Sequence, residues 1–197
     1  MTFSIVARCP KTLALGVAVA SASIAVGNRV PHIKAGVGAV ATQAKTNVNY
    51  GIEGLKLLEM SFSPKEALEA LLEKDPEREE RQIIMIDAEG RVAAFTGKMT
   101  IGWSGHIIGR DYAVAGNVLV SREVIEAMAA AFEKSEGETL AERLLKALEA
   151  GQHVGGDKRG RASAALKVQG SNLHVDLRVD FDPDPVKKLR RIYEQSL

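Results

Sequence analysis

The chain has 197 residues, 46% of them apolar but only 5% aromatic, and a net charge of +1 from 26 basic and 25 acidic residues. Interleaved charges exclude a basic nucleic-acid-binding face, and no apolar run reaches the ~18 residues of a membrane span. The lone Cys9 excludes an intrachain disulfide, and with no signal-peptide pattern in view a cytoplasmic location is expected.

The first predicted strand starts at once. Residues 3–8 alternate Phe, Ile and Ala with Ser, Val and Arg, and Thr2 stands at the strand's head. Removal of Met1 would leave a threonine with a nucleophilic hydroxyl and a candidate base, its own α-amine, on one residue. That amine titrates near ~8 when unperturbed, so a large share of it is neutral at physiological pH. Cys9-Pro10-Lys11-Thr12 reads as a surface turn into an apolar strand over 13–20. A small, polar loop, Ser21 to Lys34, leads to a third strand over Gly36–Gln43, whose small side chains let another layer approach.

Two helices follow, over 51–60 and 64–74. In the second, Ser63, Pro64 and Glu66 form an N-terminal capping signature, and Leu68, Leu71 and Leu72 make an apolar face. Residues 82–87 and 91–95 flank Ala88-Glu89-Gly90 as a hairpin. Residues 106–116 hold one or two more strands. Ser121 reads as N-cap of a helix to about Lys134, and a further helix over 138–150 is stopped by Gly151. A glycine- and charge-rich loop, Val154–Arg161, precedes a closing hairpin over 164–168 and 173–179, and Asp182-Pro-Asp-Pro185 opens a last helix to Gln195. Helix pairs thus alternate with groups of antiparallel strands. Each strand group must bury two faces, which predicts an α+β fold of four layers, αββα, as a single domain over residues 1–197.

Several stretches together resemble a known family: Thr2-Phe-Ser-Ile-Val-Ala-Arg8, Gly16-Val-Ala-Val19, Ala25-Val-Gly27, Ala35 to Gln43, Tyr50-Gly51, Gly116-Asn117, Gly155-Gly-Asp157 with Arg159-Gly160, and Pro183-Asp-Pro185. The chain is similar to the DUF1028 family, grouped with the N-terminal-nucleophile (Ntn) hydrolases. The resemblance implies the αββα fold and implies no settled substrate. The family pattern has Gln and a polar or basic residue around the serine that follows Gly-Val-Ala-Val. Here Ala20 and Ala22 flank Ser21.

These readings give an expected site. Thr2 is the candidate nucleophile. Lys34 stands just before the third strand, where proteasome-type Ntn hydrolases hold a lysine beside their threonine; a solvated loop lysine is the alternative. Ser21, Thr42 and Gln43 end strands and could offer hydrogen bonds to a substrate or an oxyanion. Asp157 and Arg159, in their glycine-flanked loop, could hold a carboxylate or phosphate, and Asn117 is a further candidate, each with a structural turn as the alternative. His32, His106, His153 and His174 show no ligand spacing, so no metal or cofactor is expected. The expected function is hydrolysis of a small amide, with a noncatalytic ligand-binding or assembly protein that keeps Met1 as the rival. A homo-oligomer, most simply a dimer, is expected on general grounds.

Overall fold

The computed structural model of the chain describes residues 2–171 and 173–197. Its elements run β1 (Thr2–Arg8), β2 (Leu15–Ser21), β3 (Pro31–Lys34), β4 (Gly38–Ala44), α1 (Asn49–Glu59), α2 (Pro64–Lys74), β5 (Arg81–Asp87), β6 (Val92–Thr96), β7 (Trp103–Gly109), β8 (Tyr112–Leu119), α3 (Glu123–Lys134), α4 (Leu140–His153), β9 (Ser163–Gly170), β10 (Leu173–Val179) and α5 (Pro185–Gln195). One antiparallel sheet has the order β10-β9-β2-β1-β8-β7, and a second has β3-β4-β5-β6.

Side-chain alternation sorts the strands into three apolar layers. Phe3, Ile5, Ala7, Ala18, Ala20 and Val114 pack beneath Met128 of α3 and Leu144 and Leu148 of α4. The opposite face of the same strands, Val6, Val17, Val19, Ala113 and Ala115, meets Ala39, Ala41, Ile84 and Ile86 of the second sheet. The outer face of that sheet, Val40, Ile83 and Met85, packs on Tyr50, Leu58 and Leu68 of α1 and α2. The result is the four-layer αββα sandwich that the element order predicts. Central strands covered on both faces read as near-continuous apolar runs, which is why β2 and β5 are conspicuous in the sequence.

The capping box of α2 is present, with the Ser63 hydroxyl accepting from the Glu66 N–H and the Glu66 carboxylate accepting from the Ser63 N–H. Four expectations change. The 21–34 loop holds a single 3-10 turn over Val26–Asn28 and the edge strand β3, so Lys34 ends a strand rather than a loop. The 106–116 stretch becomes two full strands that turn at Arg110-Asp111, where Asp111 has a φ of 60°. Ser121 accepts from the Glu123 N–H but lies one residue ahead of the N-cap position, Arg122. Gly151 does not stop α4, which runs to His153. A Cβ at Gly151 would stand 2.8 Å from Cγ of Met128, so this glycine allows α3 and α4 to approach closely. No helix among the described residues is long and apolar enough to cross a membrane.

Candidate functional site: a polar end to the inter-sheet layer

The layer between the sheets changes character along its length. On β1 the inward phase runs Val6, Ser4, Thr2; on β2 it runs Val17, Val19, Ser21; on β8 it runs Ala113, Ala115, Asn117; on β9 it runs Ala165, Ser163. The second sheet does the same, with Ala39, Ala41, Gln43 on β4 and Ile86, Ile84, Gln82 on β5. Strand pairing gathers these polar ends. Thr2 stands opposite Ser21 on one side and Asn117 on the other, Ser21 opposite Ser163, and Gln43 opposite Gln82. All seven side chains are buried, Thr2 included.

Burial of so many amides and hydroxyls is tolerable only where they bond one another. Gln82 is the hub. Its Nε2 donates to the carbonyl oxygens of Gly116 (2.8 Å) and Gly105 (3.1 Å) and contacts Thr96 Oγ1 at 3.0 Å. Its Oε1 accepts from Gln43 Nε2 (2.7 Å) and from Asn117 Nδ2 (2.8 Å). Gln43 Oε1 in turn accepts from the Ser4 hydroxyl at 2.7 Å. The network thus ties β1 and β8 of one sheet to β4 and β5 of the other. The Oδ1 of Asn117 is buried and has no partner among the described residues.

Next to this network, the Thr2 hydroxyl donates to Ser21 Oγ at 3.3 Å, and Ser21 Oγ also accepts from the Ser23 N–H. No His, Lys, Asp or Glu side chain hydrogen-bonds the Thr2 hydroxyl among the described residues. Asp157 closes the floor. One carboxylate oxygen accepts from the Ala22 N–H (3.0 Å) and from Arg159 Nη2 (3.1 Å), while the other accepts from the Arg159 backbone N–H. Gly155 and Gly156, at φ of 118° and 61°, shape the loop that carries Asp157 to a bridge with Leu119 at the end of β8. Asp157 therefore joins the exit of β2 to the exit of β8, just where Thr2 lies between them.

A cleft of about 270 Å³ opens beside Asn117, lined by Ala44, Lys45, Glu80, Met99, Thr100, Ile101 and Val118. Lys45 is held by Glu77 (2.7 Å) and Glu80 (3.1 Å). Val118 has a φ of 50°, and a register shift at Trp103/Ser104 marks a bulge where β8 passes the cleft. Bulges of this kind re-aim side chains near functional sites.

The expected site residues divide accordingly. Thr2, Ser21, Gln43, Asn117, Asp157 and Arg159 converge at one end of the sandwich. Thr42 does not join them. It alternates to the outer face with Val40, and its hydroxyl donates to the Asn47 carbonyl. Lys34 lies at the opposite end: it pairs with Gly38 at the start of β4, whereas Gln43 is near that strand's end, and its ammonium pairs with Glu59. Ser4 and Gln82 are members the sequence reading missed. The available signal was phase, because each is a polar residue in step with buried apolar neighbours. The expectation that Met1 is removed falls on a residue outside those described. Among the described residues no three His, Cys, Asp or Glu side chains are grouped to hold a metal.

The network reaches the surface at His106. Thr96 Oγ1, in contact with Gln82 Nε2, lies 2.8 Å from His106 Nδ1. Loss of water around the ring holds the His106 pKa below its ordinary value. His32, half-buried against Gly51, is shifted the same way chiefly by its loss of solvent. A lowered pKa means that the unfolded chain takes up the proton first as pH falls. Stability should therefore be flat above the unfolded value of 6.5 and decline below it, toward the folded value. Urea unfolding at pH 8 and pH 5.5 checks this. The loss on acidification should shrink in the His32→Gln/His106→Gln double variant.

The chain matches no curated protein. Among solved structures, it is 33% identical to a Silicibacter pomeroyi protein of the DUF1028 family, with a TM-score of 0.93 over 99% of this chain and 85% of that one. A second solved structure, Anbu (ancestral beta-subunit) from Yersinia bercovieri, is 10% identical with a TM-score of 0.44, covering 98% of this chain and 94% of its own. The model of the family of unknown function DUF1028 matches residues 2–189. The chain belongs to the DUF1028 family.

Proposed function

We propose that the protein is an Ntn-type amidohydrolase in which loss of Met1 exposes Thr2 as nucleophile and base for cleavage of a small amide. One observation carries this reading: the Thr2 hydroxyl sits at the polar end of the inter-sheet layer with no ionisable side chain bonded to it among the described residues. A hydroxyl so placed needs a base, and the one a processed chain supplies at that point is its own α-amine. The neutral amine takes the Oγ proton as the oxygen attacks the amide carbon. It then gives that proton to the departing nitrogen, leaving an ester on Thr2 that water hydrolyses. The amine's ordinary pKa near ~8 makes activity rise with pH through that range.

The cleft beside Asn117 supports a small substrate with an aliphatic part. Its 270 Å³ lies just below the ~300–1,000 Å³ of typical ligand pockets, and Met99, Ile101 and Val118 supply apolar walls. Covalent labelling tests the reading. An amide-mimicking electrophile, such as a peptide vinyl sulfone or a β-lactone, should attach to Thr2 in the purified protein, located by peptide mass spectrometry. Attachment elsewhere, with Thr2 unmodified, contradicts it.

A further inference from the structure

We infer that Asn117 Oδ1 is the internal acceptor that orients the processed α-amine of Thr2; the inference rests on the N-terminal-nucleophile reading and gives Asn117 a positioning role rather than substrate contact. The argument is a donor–acceptor count. The carbonyl oxygens of Gly116 and Gly105 can only accept, so the Gln82 amide must turn its NH₂ toward them. Its Oε1 is thereby fixed toward Asn117 and accepts from Nδ2. Asn117 must then present Oδ1 on its other side. No exchange of its amide atoms is possible without setting two oxygens face to face at the Gln82 contact.

That leaves one acceptor with nothing to accept. Asn117 is 1% exposed and its Oδ1 is buried without a partner among the described residues. A buried, unpaired carbonyl oxygen costs about 1–3 kcal/mol. The oxygen is buried, and on this inference its donor comes from inside the chain. Thr2 is its register partner across β1 and β8, and both side chains face the inter-sheet layer. Processing turns the Thr2 nitrogen from a peptide nitrogen with one hydrogen into an amine with two, or an ammonium with three. On the same inference, one of these new hydrogens reaches the orphaned oxygen of the register partner.

The chemical consequence is directional. An amine that gives one N–H to Asn117 has its lone pair held in a fixed orientation, free to receive the Thr2 hydroxyl proton. The proton count stays balanced, one leaving Oγ and one arriving at nitrogen. The same geometry commits one of the two Nδ2 hydrogens of Asn117 to Gln82.

The test does not depend on turnover or on natural processing. A fusion cleaved immediately before Thr2 yields the free terminus, and ¹⁵N-labelled protein is titrated by NMR. The Asn117 side-chain amide resonances should move with the midpoint of the Thr2 α-amine, and should not titrate there in protein that keeps Met1. In Asn117→Leu the amine midpoint should fall by roughly half to one unit, because the acceptor that favours the protonated form is gone. If that variant does not fold, the wild-type resonances still decide. Asn117 signals that stay still through the amine's titration overturn the inference, as does an unchanged midpoint in folded Asn117→Leu. Absence of any hydrolase activity would count against the proposed function and leave this result untouched.

Discussion

Thr2→Ala should lose amide hydrolysis by roughly 10³-fold or more, as removal of an enzyme nucleophile does, while Thr2→Ser keeps measurable turnover. The contrast isolates the hydroxyl. Both variants keep the α-amine and the strand, and among the described residues alanine removes one 3.3 Å hydrogen bond, to Ser21. The stability cost of that bond is about 1 kcal/mol, so Thr2→Ala should remain folded at 25 °C and bind substrate with near-normal affinity. The measurement is single-turnover and steady-state kinetics on whichever amide proves to be cleaved, together with a urea unfolding curve. Undiminished turnover in Thr2→Ala would assign catalysis to another cleft.

The second large effect belongs to Gln82. Gln82→Met keeps the side chain's length and most of its volume, yet removes the hub of the buried network. Gln43 Nε2 and Asn117 Nδ2 would lose their shared acceptor, and the Gly116 and Gly105 carbonyls would lose their donor. Each buried group left unpaired costs about 1–3 kcal/mol, with some recovered as neighbours relax. A destabilisation of about 3–5 kcal/mol is expected, read as a lower urea midpoint with an unchanged slope. That is a large share of the ~5–15 kcal/mol of a typical domain. A loss below about 1 kcal/mol would mean that water already serves these groups. In any surviving fold, Asn117 would be free to rotate, so activity should drop even though Gln82 does not touch Thr2.

Much of the fold was legible because its physics is local. Strands covered on both faces must be apolar throughout, and β2 and β5 announce themselves. The capping box at Ser63 marks α2 to the residue. What escaped was short or two-edged. β3 has four residues, begins with Pro31 and lies at a sheet edge, so no alternation develops in it. Gly151 looked like a helix stop because an isolated glycine cannot reveal the close helix contact that it serves.

The site was legible in part for a similar reason. Thr2, Ser21 and Asn117 are polar residues at strand ends, and a strand's end can be read from its sequence. Which strands meet, and in what register, cannot. Gln43 and Gln82 are opposite one another although many residues separate them in the chain. Alternation also decides between sequence neighbours: Gln43 faces the inter-sheet layer, so Thr42 must face away. Lys34 shows the hazard of nearness along the chain. It is close in sequence to the start of β4, but the polar cluster is at the other end of that strand, about 17 Å away at ~3.4 Å per residue.

The rival reading, a ligand-binding protein that keeps Met1, shares this fold and this polar layer. It differs in one covalent fact, the state of the N-terminus. Intact-mass spectrometry of natively produced protein addresses that fact directly. The account predicts a chain lighter by one methionine, beginning at Thr2. A mature chain that still carries Met1 would contradict it and leave the inter-sheet cluster as a structural or binding feature.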